Sequence, residues 1–154
     1  MIAMGRVESS IEIEAPIEKV FAFLSNPKNR EKILAHAEVK VENVSKGPIG
    51  VGTTYRWSAV LAGRKVNLHP HEIVEFEKNR RFVDHDKGGS LKKEEFTFVF
   101  AATDKGTKVT MTIDYELPYS VIGKILDKLR FRKEFERFLN GGAQKAKEIL
   151  EAPS

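Results

Sequence analysis

Cysteine is absent from this chain of 154 residues. Disulfide bonds, thiolate metal sites, cysteine nucleophiles and cysteine-held iron–sulfur clusters are therefore excluded, and any chemistry must use oxygen and nitrogen atoms. Long apolar runs are also missing, since no stretch approaches the roughly 20 residues that a membrane-spanning helix needs. Charged residues already stand at Arg6, Glu8 and Glu12, where a secretory signal would need an apolar segment. These features predict a cytoplasmic protein.

A strong charge of one sign is missing too. Lys and Arg total 26 against 22 Asp and Glu, a formal charge of +4, and no polybasic tail is present. The basic residues form no platform interleaved with aromatic residues, so nucleic acid is not an expected partner. Hydrophobic residues make up 41% and charged residues 31% of the chain. This composition and length predict a single folded domain over residues 1–154.

Alternation of apolar and polar residues predicts a β-sheet. In residues 6–14, Val7, Ile11 and Ile13 alternate with polar residues, which is the period of a strand with one wet face. Six further strand-like runs follow residue 38, and short turns between them indicate antiparallel neighbours. These runs cover residues 38–46, 53–62, 65–77, 81–87, 92–103 and 108–117.

Helical patterns stand on either side of those six runs. Residues 17–25 place Val20, Phe21 and Leu24 on one helical face, and residues 29–34 add a further helical turn. Residues 119–151 contain no proline and predict one long helix. Its apolar stripe changes face near Arg130, which predicts a bend or break there. The order predicts an α+β fold in which the last helix covers a seven-stranded antiparallel sheet.

Four segments carry a resemblance to a known superfamily. They are residues 9–27 (SSIEIEAPIEKVFAFLSNP), 50–57 (GVGTTYRW), 72–82 (EIVEFEKNRRF) and 96–118 (FTFVFAATDKGTKVTMTIDYELP). With them the chain resembles the START-related (SRPBCC) superfamily, which includes polyketide cyclase/dehydrase-like, birch-pollen-allergen-like and coenzyme-Q-binding proteins. The resemblance implies the helix-grip fold: a curved sheet, two short helices after the first strand, and a C-terminal helix across the concave face. It implies no single activity, because this scaffold hosts carriers, enzymes and regulators.

An aromatic row predicts what lines a cavity in such a fold. Phe96, Phe98 and Phe100 alternate along one strand and therefore share a face. An apolar lining with a few polar tips suits a lipid, an isoprenoid or a polyketide-like molecule. The predicted ligand-binding residues are Tyr55, Trp57, Phe96, Phe98, Phe100, Met111, Tyr115, Ile122, Leu126 and Phe135.

His69 and His71 form the first polar candidate, because residues two apart on a strand share a face and imidazoles bind metals. Val66, Leu68, Val74 and Phe76 form the apolar series of this strand, and they place both histidines on the outer face unless a bulge at Pro70 changes the phase. A third ligand is not specified, although residues 84–86 follow on the next strand. We therefore expect no metal and no other cofactor.

Asp84 and Asp86 form the second polar candidate. They share the parity of Phe82, so either carboxylate would be a potential general base if it faced the cavity. The glycines that follow favour a strand end wetted by solvent instead.

A carrier or binder of a hydrophobic small molecule is the leading hypothesis, without catalytic residues. The first alternative is a cyclase or dehydratase that uses Asp84, Asp86, Tyr55 or Tyr115 in the same cavity. The second is a protein-interaction module of the chaperone-regulator kind. We expect a monomer or weak dimer, with transient membrane contact through the basic residues of the last helix.

Gly141 and Gly142 lie within the last predicted helix. Two glycines there cost about 2 kcal/mol relative to alanines. A portal to the cavity is one explanation for the pair, and a helix bend is the other.

Overall fold

The computed structural model describes residues 3–61, 63–87, 93–117 and 125–153, with the backbone alone for residues 3, 4, 61, 64, 66–69, 117 and 125–128. Its strands are β1 (Ala3–Ile13), β2 (Lys40–Glu42), β3 (Thr54–Leu61), β4 (Arg64–Glu77), β5 (Arg81–Asp86), β6 (Lys93–Ala102) and β7 (Thr107–Leu117). Its helices are α1 (Ile17–Ser25), α2 (Arg30–Ile33) and α3 (Ile125–Glu151), with 3-10 turns at Pro27–Asn29 and Ala35–Ala37. The predicted order is confirmed, although β2 is shorter than expected.

The described strands form one antiparallel sheet in the order β1-β7-β6-β5-β4-β3-β2. Strands β2 to β7 neighbour each other in chain order, as short hairpin connections require. β1 pairs with β7 over its full length, from Ala3 opposite Leu117 to Ile13 opposite Thr107. α3 packs against β1, β7 and α2. This arrangement confirms the helix-grip α+β fold.

β6 shows how alternating residues place the core. Phe96, Phe98 and Phe100 are buried on the inner face, whereas Val99 between them is 39% exposed. Successive side chains of a strand point to opposite faces, so the aromatic row of the sequence is inward, as predicted.

β4 changes phase between its two ends, and this change corrects one prediction. The register with β5 shifts between Ile73 and Glu75, so the inward positions move from odd to even numbers along the strand. Phe76 packs on the core after the shift, while His71 before the shift is 2% exposed. The prediction that His71 faces outward is therefore wrong, because the apolar series on which it relied crosses a bulge. The His69 side chain lies outside the described ones.

α3 runs without interruption from Ile125 to Glu151, so a break near Arg130 is wrong, whereas the alternative of a bend stays a prediction. Leu129 is 53% exposed, whereas Phe135, Phe138 and Leu139 are buried. The change in the apolar stripe thus corresponds to a change of burial along one continuous helix. None of the described helices is long and apolar enough to span a bilayer.

Gly141 and Gly142 bring α3 close to the segment after α2. A Cβ at Gly141 would lie 2.6 Å from Nε2 of His36, and one at Gly142 would lie 2.8 Å from Cδ2 of Leu34. Real carbon atoms do not approach so closely without a shift of one partner. Close helix packing therefore accounts for the glycine pair, and the portal stays a prediction.

Candidate functional site

Stacked phenylalanine rings fill one half of the interior. Phe98 stacks on Phe82 at 4.4 Å and on Phe96 at 4.8 Å between ring centroids. Phe21 from α1 meets Phe100 edge-on at 5.0 Å. Such offset and edge-on pairs add about 0.5–1.5 kcal/mol each beyond burial. This half of the interior is a packed aromatic stack.

The remaining predicted lining residues divide into two places. Tyr115 and Phe135 pack together at 4.7 Å where α3 crosses the sheet, and Met111 is buried on β7. Tyr55 and Trp57 lie on β3, at the polar end of the interior described next. Ile122 lies outside the described residues, and of Leu126 only the backbone in α3 is described.

An ion pair between Arg30 and Asp84 forms the centre of the polar end. Nη2 of Arg30 donates to Oδ2 of Asp84 at 2.5 Å, and the side chains are 7% and 0% exposed. Nη1 of Arg30 donates to the hydroxyl of Tyr55. Burial alone would lower the pKa of Arg30, but Asp84 and Tyr55 outweigh it and raise this pKa. Arg30 is therefore a permanent buried cation.

Aromatic rings surround this guanidinium. Its central carbon lies 5.2 Å from the ring centroid of Tyr55 and 5.6 Å from those of Phe96 and Phe98. Cation–π attraction of this kind contributes about 2 kcal/mol when the cation is desolvated. The aromatic row and the ion pair are therefore one connected structure.

His71 links Asp84 to Trp57. Nδ1 of His71 lies 3.3 Å from Oδ1 of Asp84, and Nε2 accepts the indole N–H of Trp57. Because Nε2 is an acceptor, the proton of the neutral imidazole stands on Nδ1 and is donated to Asp84. Burial raises the pKa of Asp84, but Arg30 and His71 outweigh this effect and lower it. Asp84 is thus an anion held between a cation and an imidazole N–H.

Glu94 completes the polar end. Glu94 is 4% exposed, and its Oε1 atom lies 3.9 Å from Nε2 of His71. No donor among the described residues hydrogen-bonds to its carboxyl group. Burial raises the pKa of Glu94 to about 7, against a smaller opposing effect of His71. This carboxyl group therefore exchanges a proton close to neutral pH.

A small cavity lies beside these groups. Its volume is about 10 Å³, and its walls include Arg30, His71, Glu94, Leu34 and Phe138. That is the space of about one water molecule, whereas ligand pockets usually measure about 300–1,000 Å³. The described residues at the polar end therefore leave room for about one water molecule, and a larger ligand there requires these walls to separate.

His71, Asp86 and Glu94 are the described residues that come together as potential metal ligands. Each offers one nitrogen or oxygen atom within 4.8 Å of the others. The arrangement thus supports three kinds of chemistry: binding a polar ligand group, moving a proton through Glu94, or holding a cation.

Several of these roles escaped sequence reasoning. Asp84 is not the solvent-wetted residue that the glycines favoured, because it is fully buried against Arg30. Arg30 and Glu94 were not candidates, since each stands among charged residues that resemble a solvated surface. One signal was present: Glu94 has the parity of Phe96 and Phe98, and parity alone places it inside.

The fold and this site define a helix-grip protein whose apolar interior contains a buried, charged end. The chain belongs to the family described as polyketide cyclase / dehydrase and lipid transport, whose model matches residues 4–151. The superfamily resemblance is thereby confirmed, and the fold is one that binds hydrophobic ligands.

Solved structures of this fold are similar over nearly the whole chain. TTHA0849 from Thermus thermophilus is 28% identical, with 96% of this chain and 99% of that chain covered and a TM-score of 0.73. The Zhui aromatase/cyclase from a Streptomyces species is 16% identical, with 97% and 94% covered and a TM-score of 0.81. Ara h 8.0201 is 17% identical, with 96% and 98% covered and a TM-score of 0.64. No curated protein matches significantly.

Proposed function

We propose that the protein binds and carries a hydrophobic small molecule with an oxygen-bearing end, such as a lipid, an isoprenoid or a polyketide-like compound. The molecule would lie between the sheet and α3, with its oxygen near Arg30, His71 and Glu94 and its apolar part among the aromatic rings. The observation that carries this proposal is the Arg30–Asp84 pair, buried inside an aromatic interior.

The energetics of that pair support a role beyond packing. Removing two charges from water costs several kcal/mol per ion, and replacing a buried pair with apolar residues often leaves a protein equally or more stable. If the interior were only a packed core, apolar residues in place of Arg30 and Asp84 would make it equally or more stable. A ligand oxygen gives them a use, because a buried cation and an imidazole recognise a carbonyl, hydroxyl or carboxylate group.

We propose that the ligand enters where α3 packs on the segment after α2. Leu34 stands on that segment and Phe138 on α3, and both line the small cavity. Their separation would join this cavity to the space between helix and sheet. The glycine pair lets α3 lie close to His36 and Leu34, and this packing holds the closed form.

Native mass spectrometry of the purified protein, followed by organic extraction, is the direct test. A co-purified molecule with a hydrocarbon body and an oxygen-bearing end is the expected result. A ligand-free protein that also ignores added fatty acids and isoprenoid alcohols would refute the proposal.

Ligand-observed NMR with 2-naphthol and naphthalene tests the polar end separately. The two probes differ by one hydroxyl group, so the wild type should favour 2-naphthol by about tenfold or more. The double variant Arg30→Met with Asp84→Leu should lose the preference for 2-naphthol and should still bind naphthalene. Chemical conversion of a bound compound would indicate the cyclase or dehydratase alternative.

A further inference from the structure

We propose that His71, Asp86 and Glu94 form a binding site for a divalent transition-metal cation such as Zn²⁺. The three residues stand on three adjacent strands, and their ligand atoms lie within 4.8 Å of one another. The two proposed sites share His71 and Glu94, but this inference does not depend on the hydrophobic ligand, because its test uses the metal ion alone.

Strand register places the three side chains in one row. His71 of β4 pairs with Asp86 of β5. β5 pairs with β6 through His85 and Glu95, and the next step of this antiparallel register sets Asp86 opposite Glu94. Paired residues share a face of the sheet. The row is therefore produced by the backbone, and it lies on the inner face that contains His71 and Glu94.

The buried carboxyl group of Glu94, which receives no hydrogen bond from the described residues, points to a ligand. Its carboxyl group is almost fully buried and faces the small cavity. In the described part of the chain it receives no hydrogen bond, and its recorded contact is with His71 at 3.9 Å. Buried polar groups are normally satisfied. A cation bound between the three side chains would satisfy the carboxyl group of Glu94.

Asp84 supplies the support that metal-binding histidines usually have. It accepts the Nδ1–H of His71, which orients the ring and leaves Nε2 as the ligand atom. A carboxylate on the far nitrogen is typical of metal-bound histidine. On cation binding the indole N–H of Trp57 must leave Nε2, which it contacts in the present structure.

Charge and size are compatible with the cation. Two carboxylates neutralise a divalent ion, and Arg30 is already neutralised by Asp84, so the burial adds no net charge. Ligand atoms 2.0–2.2 Å from a tetrahedral zinc ion lie about 3.4 Å apart. The ligand atoms, which lie within 4.8 Å of one another, therefore need to close by up to about 1.4 Å, and three protein ligands leave the fourth tetrahedral position for water.

Trp57 is the sole tryptophan of the chain, so its fluorescence reports on the site. The full chain, stripped with a chelator, is titrated with ZnCl₂ or CoCl₂. We expect a saturable change of Trp57 emission at one cation per chain, with quenching by Co²⁺.

Matched variants distinguish cation binding at this site from cation binding by surface histidines. Glu94→Gln keeps the shape of the side chain and should weaken binding at least tenfold. Glu95→Gln, on the outer face of the same strand, should leave the affinity unchanged. Asp84→Asn should weaken binding about 10-fold to 100-fold through the orientation of His71, and circular dichroism checks that each variant is folded. Absence of stoichiometric binding by the wild type, or binding that survives Glu94→Gln, would overturn the proposal.

Discussion

One hairpin contains both a dry aromatic stack and a buried ionic site. Along β5 and β6 the inward pairs change from Phe82 with Phe98 to Asp84 with Phe96, and the next pair in register is Asp86 with Glu94. All of these residues lie within strands β5 and β6. The comparison teaches that strand geometry decides which side chains are inside, whereas residue type decides whether the inside is a core or a site.

The two regions also differ in how they are stabilised. The aromatic stack gains from burial and ring packing, and each member tolerates a smaller apolar residue at a moderate cost. The ionic end depends on matched partners, since the loss of one leaves a desolvated charge. Single substitutions should therefore act more strongly at the ionic end than in the stack.

Arg30→Met should show the largest effect. It leaves Asp84 buried without its cation, and breaking such a pair costs about 3–5 kcal/mol. Urea unfolding followed by circular dichroism measures this change in the free energy of unfolding. Arg81→Met is the control, because the bridge from Arg81 to Glu75 is half-exposed and should contribute less than about 1 kcal/mol.

Restoring an apolar pair sharpens the same comparison. Arg30→Met combined with Asp84→Leu should recover most of the lost stability, because neither member of the pair is left as an unpaired buried charge. A double variant as unstable as Arg30→Met alone would contradict this account. It would show that the pair stabilises the fold instead of serving a ligand.

Tyr55→Phe should have the next largest effect. The hydroxyl of Tyr55 accepts from Arg30, and a hydrogen bond to a charged group contributes about 1.5–3 kcal/mol. Tyr115→Phe is the control, since the described residues offer its hydroxyl no hydrogen-bond partner. Equal unfolding midpoints for the two variants would count against the polar network as a source of stability.

Phe98→Leu should destabilise less than either change at the ionic end. The substitution keeps an apolar side chain of similar volume in the stack, for which the expected loss is about 1–1.5 kcal/mol. Val99→Ala on the exposed face of β6 should change stability by about 0.5 kcal/mol. A loss for Phe98→Leu above that for Tyr55→Phe would reverse the proposed ranking.

Most of the fold was predictable because alternation and turn residues are local signals. The strands, their antiparallel order and the long helix all follow from spacing within a few residues. The inward row of Phe96, Phe98 and Phe100 was predictable for the same reason. The bulge in β4 was not, because the shift at Ile73 depends on how β4 pairs with β5.

The ionic site was not predictable, because its members come together through tertiary structure. Arg30 lies 54 positions before Asp84 in a segment that alternates charge like a wetted surface. Charged side chains are exposed in most proteins. The charge of Asp84 and Glu94 therefore predicts exposure, although their positions along the strands place them inside. Only pairing with a distant partner reverses that expectation.

Alanine substitutions at Gly141 and Gly142 should have the smallest effects on stability, with opposite signs. Alanine gains about 1 kcal/mol over glycine in a helix, but a Cβ at either position meets the segment after α2. The neighbour of Gly141 is the exposed His36 ring, which is free to rotate away, so Gly141→Ala should be neutral or stabilising. The neighbour of Gly142 is Leu34, which is buried in the core and would have to be displaced there. Gly142→Ala should therefore destabilise by about 1 kcal/mol, measured by thermal unfolding. Equal shifts for the two variants would indicate that α3 relaxes away from the segment as a unit, which is the motion proposed above for ligand entry.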